Sequence, residues 1–148
     1  MIRILLDTNV IIDYASQREP FFADADKIFD CILDNKISAY VSASAVTDIF
    51  YILKRENSKE DTLSFLKELL NVVNILTVDK NVIISALYSG WNDFEDAVQA
   101  HISIENNIDV VITRNTKDFK CLNEVNVLTP ADFLDRWLSN KFSLMRIL

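Results

Sequence analysis

Glycine is almost absent from this sequence: it occurs once, and proline twice, in 148 residues. So few breakers exclude a long flexible linker and leave a chain of mostly regular elements joined by tight polar turns. No internal repeat or low-complexity tract is present. The two cysteines, Cys31 and Cys121, are too few for a disulfide framework and lack metal-ligand spacing. They read as small buried hydrophobes. A single histidine, His101, gives little support to histidine-based acid–base chemistry and reads as a helix-surface or core-edge residue. No apolar run approaches the ~20 residues of a membrane span. The amino terminus enters a strand-like segment, Ile2 to Leu6, without the apolar core of a signal peptide. A soluble, cytoplasmic protein is expected. A basic excess is also missing, since the net charge is -7. That argues against a broad cationic surface for nucleic acid.

Hydrophobic residues make up 50% of the chain, enough for a substantial core, and the length fits one domain over residues 1–148. Ile2 to Leu6 reads as a buried strand ended by Asp7-Thr8-Asn9, with a short helix from Val10 to Tyr14. Phe22, Ala25, Ile28, Phe29, Ile32 and Leu33 recur at helical spacing. Ser38–Ser42 reads as a second strand, and Ser44 as the cap of a helix reaching Lys54. Ser58 and Asp61 resemble a capping box, opening a helix that turns Leu63, Leu66, Leu69, Leu70 and Val73 inward. Ile75–Val78 is a strand candidate, and Asp79 caps a helix to Leu87. Asp93 opens another helix, to about Glu105. Ile108–Thr113 has the continuous apolar character of a central parallel strand. Val125–Leu128 reads as an edge strand, and Thr129-Pro130 starts a last helix carrying Phe133, Leu134, Trp137 and Leu138. Alternating strands and helices predict an α/β fold with a parallel sheet covered on both faces. Ligands of such sheets gather beyond the carboxyl ends of the strands.

Asp7, Asp48, Asp96 and Asp118 stand beside apolar runs at the ends of these elements, where a carboxylate is costly without a positive partner. Asp7 and Asp118 follow strands; Asp48 and Asp96 fall in first turns of helices. Each has an ordinary reading too. Asp7 can cap the next helix, Asp48 can face solvent with Thr47 and Tyr51, Asp93 is a good N-cap, and Asp96 suits the helix dipole. Glu95 is expected to point elsewhere, into solvent. Asn115 and Asp118 lie in a polar loop after a buried strand. Together the acids strain these readings, because two carboxylates ~4 Å apart repel by about 4 kcal/mol at an effective dielectric near 20. Such a cluster holds a proton or a cation. Oxygen donors with hydroxyl and amide helpers suit Mg²⁺ or Mn²⁺ rather than zinc.

Four stretches, LLDTNVIIDY (Leu5 to Tyr14), SASAVTDIFYIL (Ser42 to Leu53), FEDAVQAHIS (Phe94 to Ser103) and VVITRNTKDF (Val110 to Phe119), resemble those of PIN-domain proteins. Within that group they resemble the VapC-like ribonuclease toxins of toxin–antitoxin pairs, and Leu128-Thr129-Pro130 fits as well. The resemblance implies a three-layer α/β/α sandwich with a mainly parallel five-stranded sheet. It also implies a metal-dependent endoribonuclease using Mg²⁺ or Mn²⁺. Asp7, Asp48, Asp96 and Asp118 would be catalytic, with Asp7, Asp96 and Asp118 toward the metal. Thr8, Asn9, Asp93, Thr113 and Asn115 would support them. Asp48 stands where most members carry Glu. Asn115 takes the usual place of the last acid, so that role is carried to Asp118. Arg114, Lys117 and Lys120 are expected to steer phosphate. RNA as substrate, a small antitoxin with a basic side chain for the acidic site, and a homodimer are the implied partners. The apolar tail, Phe142, Leu144, Met145, Ile147 and Leu148, is expected to pack on its own domain. Two rivals remain: a PIN-like protein-binding domain of weak catalysis, and a receiver-like Mg²⁺-binding regulatory module. The latter lacks a second acid beside Asp7, and a haloacid-type phosphatase is disfavoured by Asn9.

Overall fold

The structure is a computed structural model in which residues 1–119 and 124–138 are described. The strands β1 (Arg3–Leu6), β2 (Ser38–Ser42), β3 (Asn74–Leu76), β4 (Val110–Ile112) and β5 (Asn126–Leu128) form one parallel sheet in the order β3-β2-β1-β4-β5. The helices are α1 (Thr8–Ala15), α2 (Phe22–Leu33), α3 (Ala43–Lys54), α4 (Lys59–Val72), α5 (Lys80–Tyr88), α6 (Phe94–Glu105) and α7 (Pro130–Leu138), with a 3-10 turn at Thr116–Phe119.

Alternation along the strands divides the core. Ile4 and Leu6 of β1, Ala39 and Val41 of β2, and Val110 and Ile112 of β4 pack with buried residues of α1, α2, α3, α4 and α7. Leu5, Val111 and Leu76 point the other way, onto Val82 and Ala86 of α5 and Ala97, Val98, Ala100 and Ile102 of α6. The result is the three-layer α/β/α sandwich that the resemblance implied, with β1 buried at its centre.

Capping oxygens set the starts of most helices. Ser58, Asp79, Asp93 and Thr129 accept from the backbone N–H three residues on, as their positions in the sequence suggested. At α3 the cap is Ser42, not Ser44: Ser42 Oγ accepts from Ala45 N at 3.1 Å, and Ser44 lies inside the first turn. The sheet decides this, because β2 stays paired through Ser42, opposite Leu76, and leaves that hydroxyl at the strand end. Asp48 therefore sits beyond the first turn of α3. On α4 only Leu66 and Leu69 of the expected helix leucines are buried; Leu63 and Leu70 are exposed, while Val73 just past the helix is buried. β3 is shorter than Ile75–Val78 and sits at an edge. Helix ends need the left-handed backbone that glycine adopts most easily. With so little glycine, Gln17, Asn35 and Asn107 take it at φ 50°, 56° and 55°, and Gly90 at 75°. Cys31 is a free thiol, half-buried rather than buried, and His101 is half-buried on α6. Lys120, Cys121 and the apolar tail lie outside the described residues.

Candidate functional site

The chain builds β1, β2 and β3 to one side, then crosses back over β1 to lay down β4 and β5. The order reverses between β1 and β4, and a crevice opens at their carboxyl ends. Asp7 leaves β1 there, with its backbone N–H still bonded to Ile112 O at 3.0 Å. It is buried and caps α1 through Thr8 N, which donates to Oδ1 at 2.8 Å. Gln99 Nε2 donates to the same oxygen at 3.1 Å. Thr113 Oγ1, at 2.7 Å, and Asn9 Nδ2, at 3.3 Å, donate to Oδ2. Thr113 Oγ1 also accepts from Asn115 N at 3.1 Å, and Asn9 Oδ1 from Arg114 N at 3.3 Å. β1, α1, α6 and the loop after β4 thus meet on one carboxylate and fix its orientation.

Around it opens a cleft of about 520 Å³ lined by Asp7, Thr8, Asn9, Asp48, Asp93, Asp96, Asn115 and Asp118. All four acids singled out from the sequence share this cavity, although they come from β1, α3, α6 and the 3-10 turn. Asp93 caps α6, its Oδ1 accepting from Asp96 N at 2.9 Å, and also faces the cleft. Thr113 acts from behind, through Asp7.

Electrostatics shows the strain of collecting this charge. Burial raises the Asp7 carboxyl above its usual range, against the lowering effect of its bonds from Thr113, Thr8 and Gln99; the charge of Asp93 raises it further. Asp96 is pushed up to about 7 by burial and by repulsion from Asp93, Asp7 and Asp118. Glu95 is also pushed up to about 7, first by a hydrogen bond with the Asp48 side chain, then by burial and the neighbouring carboxylates. Glu95 was expected to point away into solvent; instead it lines the cleft beside Asp48. Two ionised carboxylates in contact repel, which favours the protonated form of Glu95.

The cations are arranged differently from the sequence expectation. Arg114 does not line the acid cleft: its Nε and Nη2 donate to Asp13 Oδ2 at 2.6 Å and Oδ1 at 3.3 Å. Asp13 is 1% exposed, so Arg114 is held as the counter-charge of a buried acid. Lys117 is exposed on the 3-10 turn and is not in the cleft lining either. Arg18 and Arg55 line the cleft instead, from the loop after α1 and the end of α3. Gln99 also escaped the sequence reading. Its signal was a polar residue within the apolar run Ala97 to Ala100, where it is 2% exposed.

The donor chemistry fits a hard divalent cation: carboxylates, hydroxyls and amide oxygens, with carboxyl groups whose raised pKa values a cation would lower. Thr8 Oγ1 lies at the cleft, buried and without a hydrogen-bond partner among the described residues, which a hydrated ion would satisfy. Among the described residues no three His, Cys, Asp or Glu side chains form a ready-made ion cage. Mg²⁺ does not need such a cage, since it takes one or two carboxylates and keeps several waters.

Comparison with known proteins yields a consistent likeness. The PIN domain family model matches residues 3–117. Ribonuclease VapC1 of Aquifex aeolicus (strain VF5) is 25% identical over 140 residues, covering 91% of this chain and 95% of that protein. A toxin-antitoxin complex from Klebsiella pneumoniae contains a chain with TM-score 0.64 and 22% identity, covering 86% of this chain and 97% of its own. A chain of VapBC-1 from nontypeable Haemophilus influenzae has TM-score 0.65 and 17% identity, over 88% and 99%.

Proposed function

We propose, from the premise that this chain belongs to the PIN domain family, that it is a metal-dependent endoribonuclease, the toxin of a toxin–antitoxin pair. One observation carries this: acids from four separate elements converge in a single cleft at the switch point of the sheet. The ribonuclease name of the VapC1 relative supports it. A receiver-like module is disfavoured, since receivers order their strands 2-1-3-4-5 and this sheet runs β3-β2-β1-β4-β5.

Mg²⁺ or Mn²⁺, when bound, supplies Lewis-acid polarisation of a phosphate oxygen and of water. Asp7 and Asp96 would hold it, with Asp118, Thr8, Asn9, Asp93 and Asn115 orienting its waters. Thr113 and Gln99 fix the Asp7 carboxylate. Arg18 and Arg55 meet the phosphate backbone, the role first assigned to Arg114 and Lys117. The Asp48–Glu95 pair, with one carboxyl raised to about 7, is suited to take a proton from an attacking water near neutral pH. Glu95 thereby offsets the short side chain of Asp48.

Asp7→Asn and Asp96→Asn should each lower RNA cleavage by roughly a thousand-fold or more while thermal melts show a folded protein. Undiminished cleavage in EDTA would rule the mechanism out.

The acidic cleft also suits a basic side chain of a small antitoxin, acting in the cytoplasm. Ile84, Leu87 and Tyr88 form an exposed apolar face on α5, fitting a second copy of the chain. Light scattering should show a dimer, and co-expression with the product of an adjacent short reading frame should suppress cleavage. A monomer at all concentrations would remove the dimer, and unsuppressed cleavage the antitoxin.

A further inference from the structure

A second cavity, about 440 Å³, lies on the other side of Asn115, which lines both. Its character differs from that of the acid cleft. Pro20, Phe21, Pro130 and Ala131 give it apolar walls, Arg114 and Thr129 contribute polar groups, and Asp24 is its one acid. Phe21 is 39% exposed, and the Arg114 guanidinium lies over its ring, 4.1 Å from the centroid. The guanidinium plane is set before any ligand arrives, because buried Asp13 grips it through two nitrogens. A guanidinium already paired with a carboxylate is a poor phosphate ligand. One of its faces is covered by Phe21, and the exposed side of this stacked pair is the surface left for a ligand. Aromatic and guanidinium planes are what unstacked RNA bases settle on.

We propose that this cavity seats one base of single-stranded RNA, adjacent to the phosphate that is cut. The assignment rests on the ribonuclease reading of the neighbouring cleft. Asn115 lines both cavities, so they are neighbours, and one strand can place a phosphate in the first and a base in the second. The cavity is large enough for a nucleotide, within the usual range for small-ligand pockets. The amino-terminal end of α7, capped by Thr129, adds positive character for the sugar-phosphate. Asp24 sets the preference. A carboxylate accepts from exocyclic amino groups, which cytosine, adenine and guanine carry; uracil offers only its N3–H, flanked by two carbonyl oxygens that repel the carboxylate. The subsite therefore selects against uracil.

Two measurements decide it. In the first, ¹⁵N-labelled wild-type protein is titrated in EDTA with CMP, AMP, GMP and UMP. Amide shifts should centre on Phe21, Asp24, Arg114 and Ala131, and be weakest with UMP. In the second, cleavage ends are sequenced from a pool of single-stranded RNA of random sequence. Wild type should disfavour uracil at one position beside the cut. Asp24→Asn should relax that bias at least five-fold, and Phe21→Leu, which keeps bulk but loses the ring, should lower kcat/KM about ten-fold. Nucleotide shifts confined to the acid cleft, or an identical base bias in all three proteins, would overturn the subsite. So would Phe21→Leu weakening a protein partner while leaving RNA cleavage unchanged. If wild type cuts no RNA, the ribonuclease reading fails, and the titration still decides the base site.

Discussion

Asp7 is costly to the fold and is kept ionisable only by the donors around it. Removing those donors would leave a carboxyl buried in the sandwich with nothing to offset its desolvation. Glu95 and Asp96 differ: the hydrogen bond with Asp48 for the first, burial for the second, and mostly negative neighbours for both raise them to about 7 from 4.5 and 3.8. A raised carboxyl holds its proton in the folded state after the unfolded chain has lost it. From about pH 4 to about pH 7 the folded form therefore binds more protons, and their contribution to stability falls as pH rises, levelling above about 7. Urea unfolding in EDTA should show this decline, and Asp96→Asn should flatten it. Adding Mn²⁺ at pH 8 should raise the midpoint, because a cation binds the folded carboxylates. A slope unchanged by Asp96→Asn would sink the account. The meeting of Asp7 and Asp96 in one cleft was legible from the sequence because an acid beside an apolar run stands out. Arg114 was misread for the same local reason: its partner Asp13 lies 101 positions away, within a helix that gave no sign of its burial.

Capped helix starts carry the site's acids into register. Asp7, Asp79 and Asp93 serve as caps, and Asp7 and Asp93 also face the cleft, so structure and chemistry share the same carboxylates. Ser42 does the corresponding work for α3, the helix that delivers Asp48. Ser42→Ala should cost about 1 kcal/mol in urea unfolding. It should also weaken Mn²⁺ binding by loosening the first turn before Asp48. Unaltered stability would move the cap back to Ser44. Local patterns read α2 and α6 well, since apolar spacing and the cap lie within each element. Two serines within three residues cannot be ranked locally, and only the pairing of β2 with β3 separates them.

The described residues form one sheet and two apolar layers, and each layer contains a tryptophan. Trp91 packs with Phe119 at 5.7 Å on the α5–α6 side, and Trp137 with Phe133 at 6.0 Å on the other. Because β1 and β4 supply side chains to both layers, neither should unfold alone. We propose that residues 1–148 behave as one domain. Single-tryptophan proteins made by Trp91→Phe and Trp137→Phe should then give coincident urea transitions. Separated midpoints would mean two cooperative units.

The amino-acid order alone set the alternation of strands and helices and the burial of the first and fourth strands, and it marked out the four aspartates beside apolar runs. These follow from short-range hydrophobic period and capping, which depend on neighbours in the chain. Tertiary structure decided which side chains meet. It brought Glu95, Arg18 and Arg55 into the cleft, set Gln99 against Asp7, and gave Arg114 to Asp13. Strand order and helix rotation fix such meetings, and both are settled by packing between residues far apart in sequence.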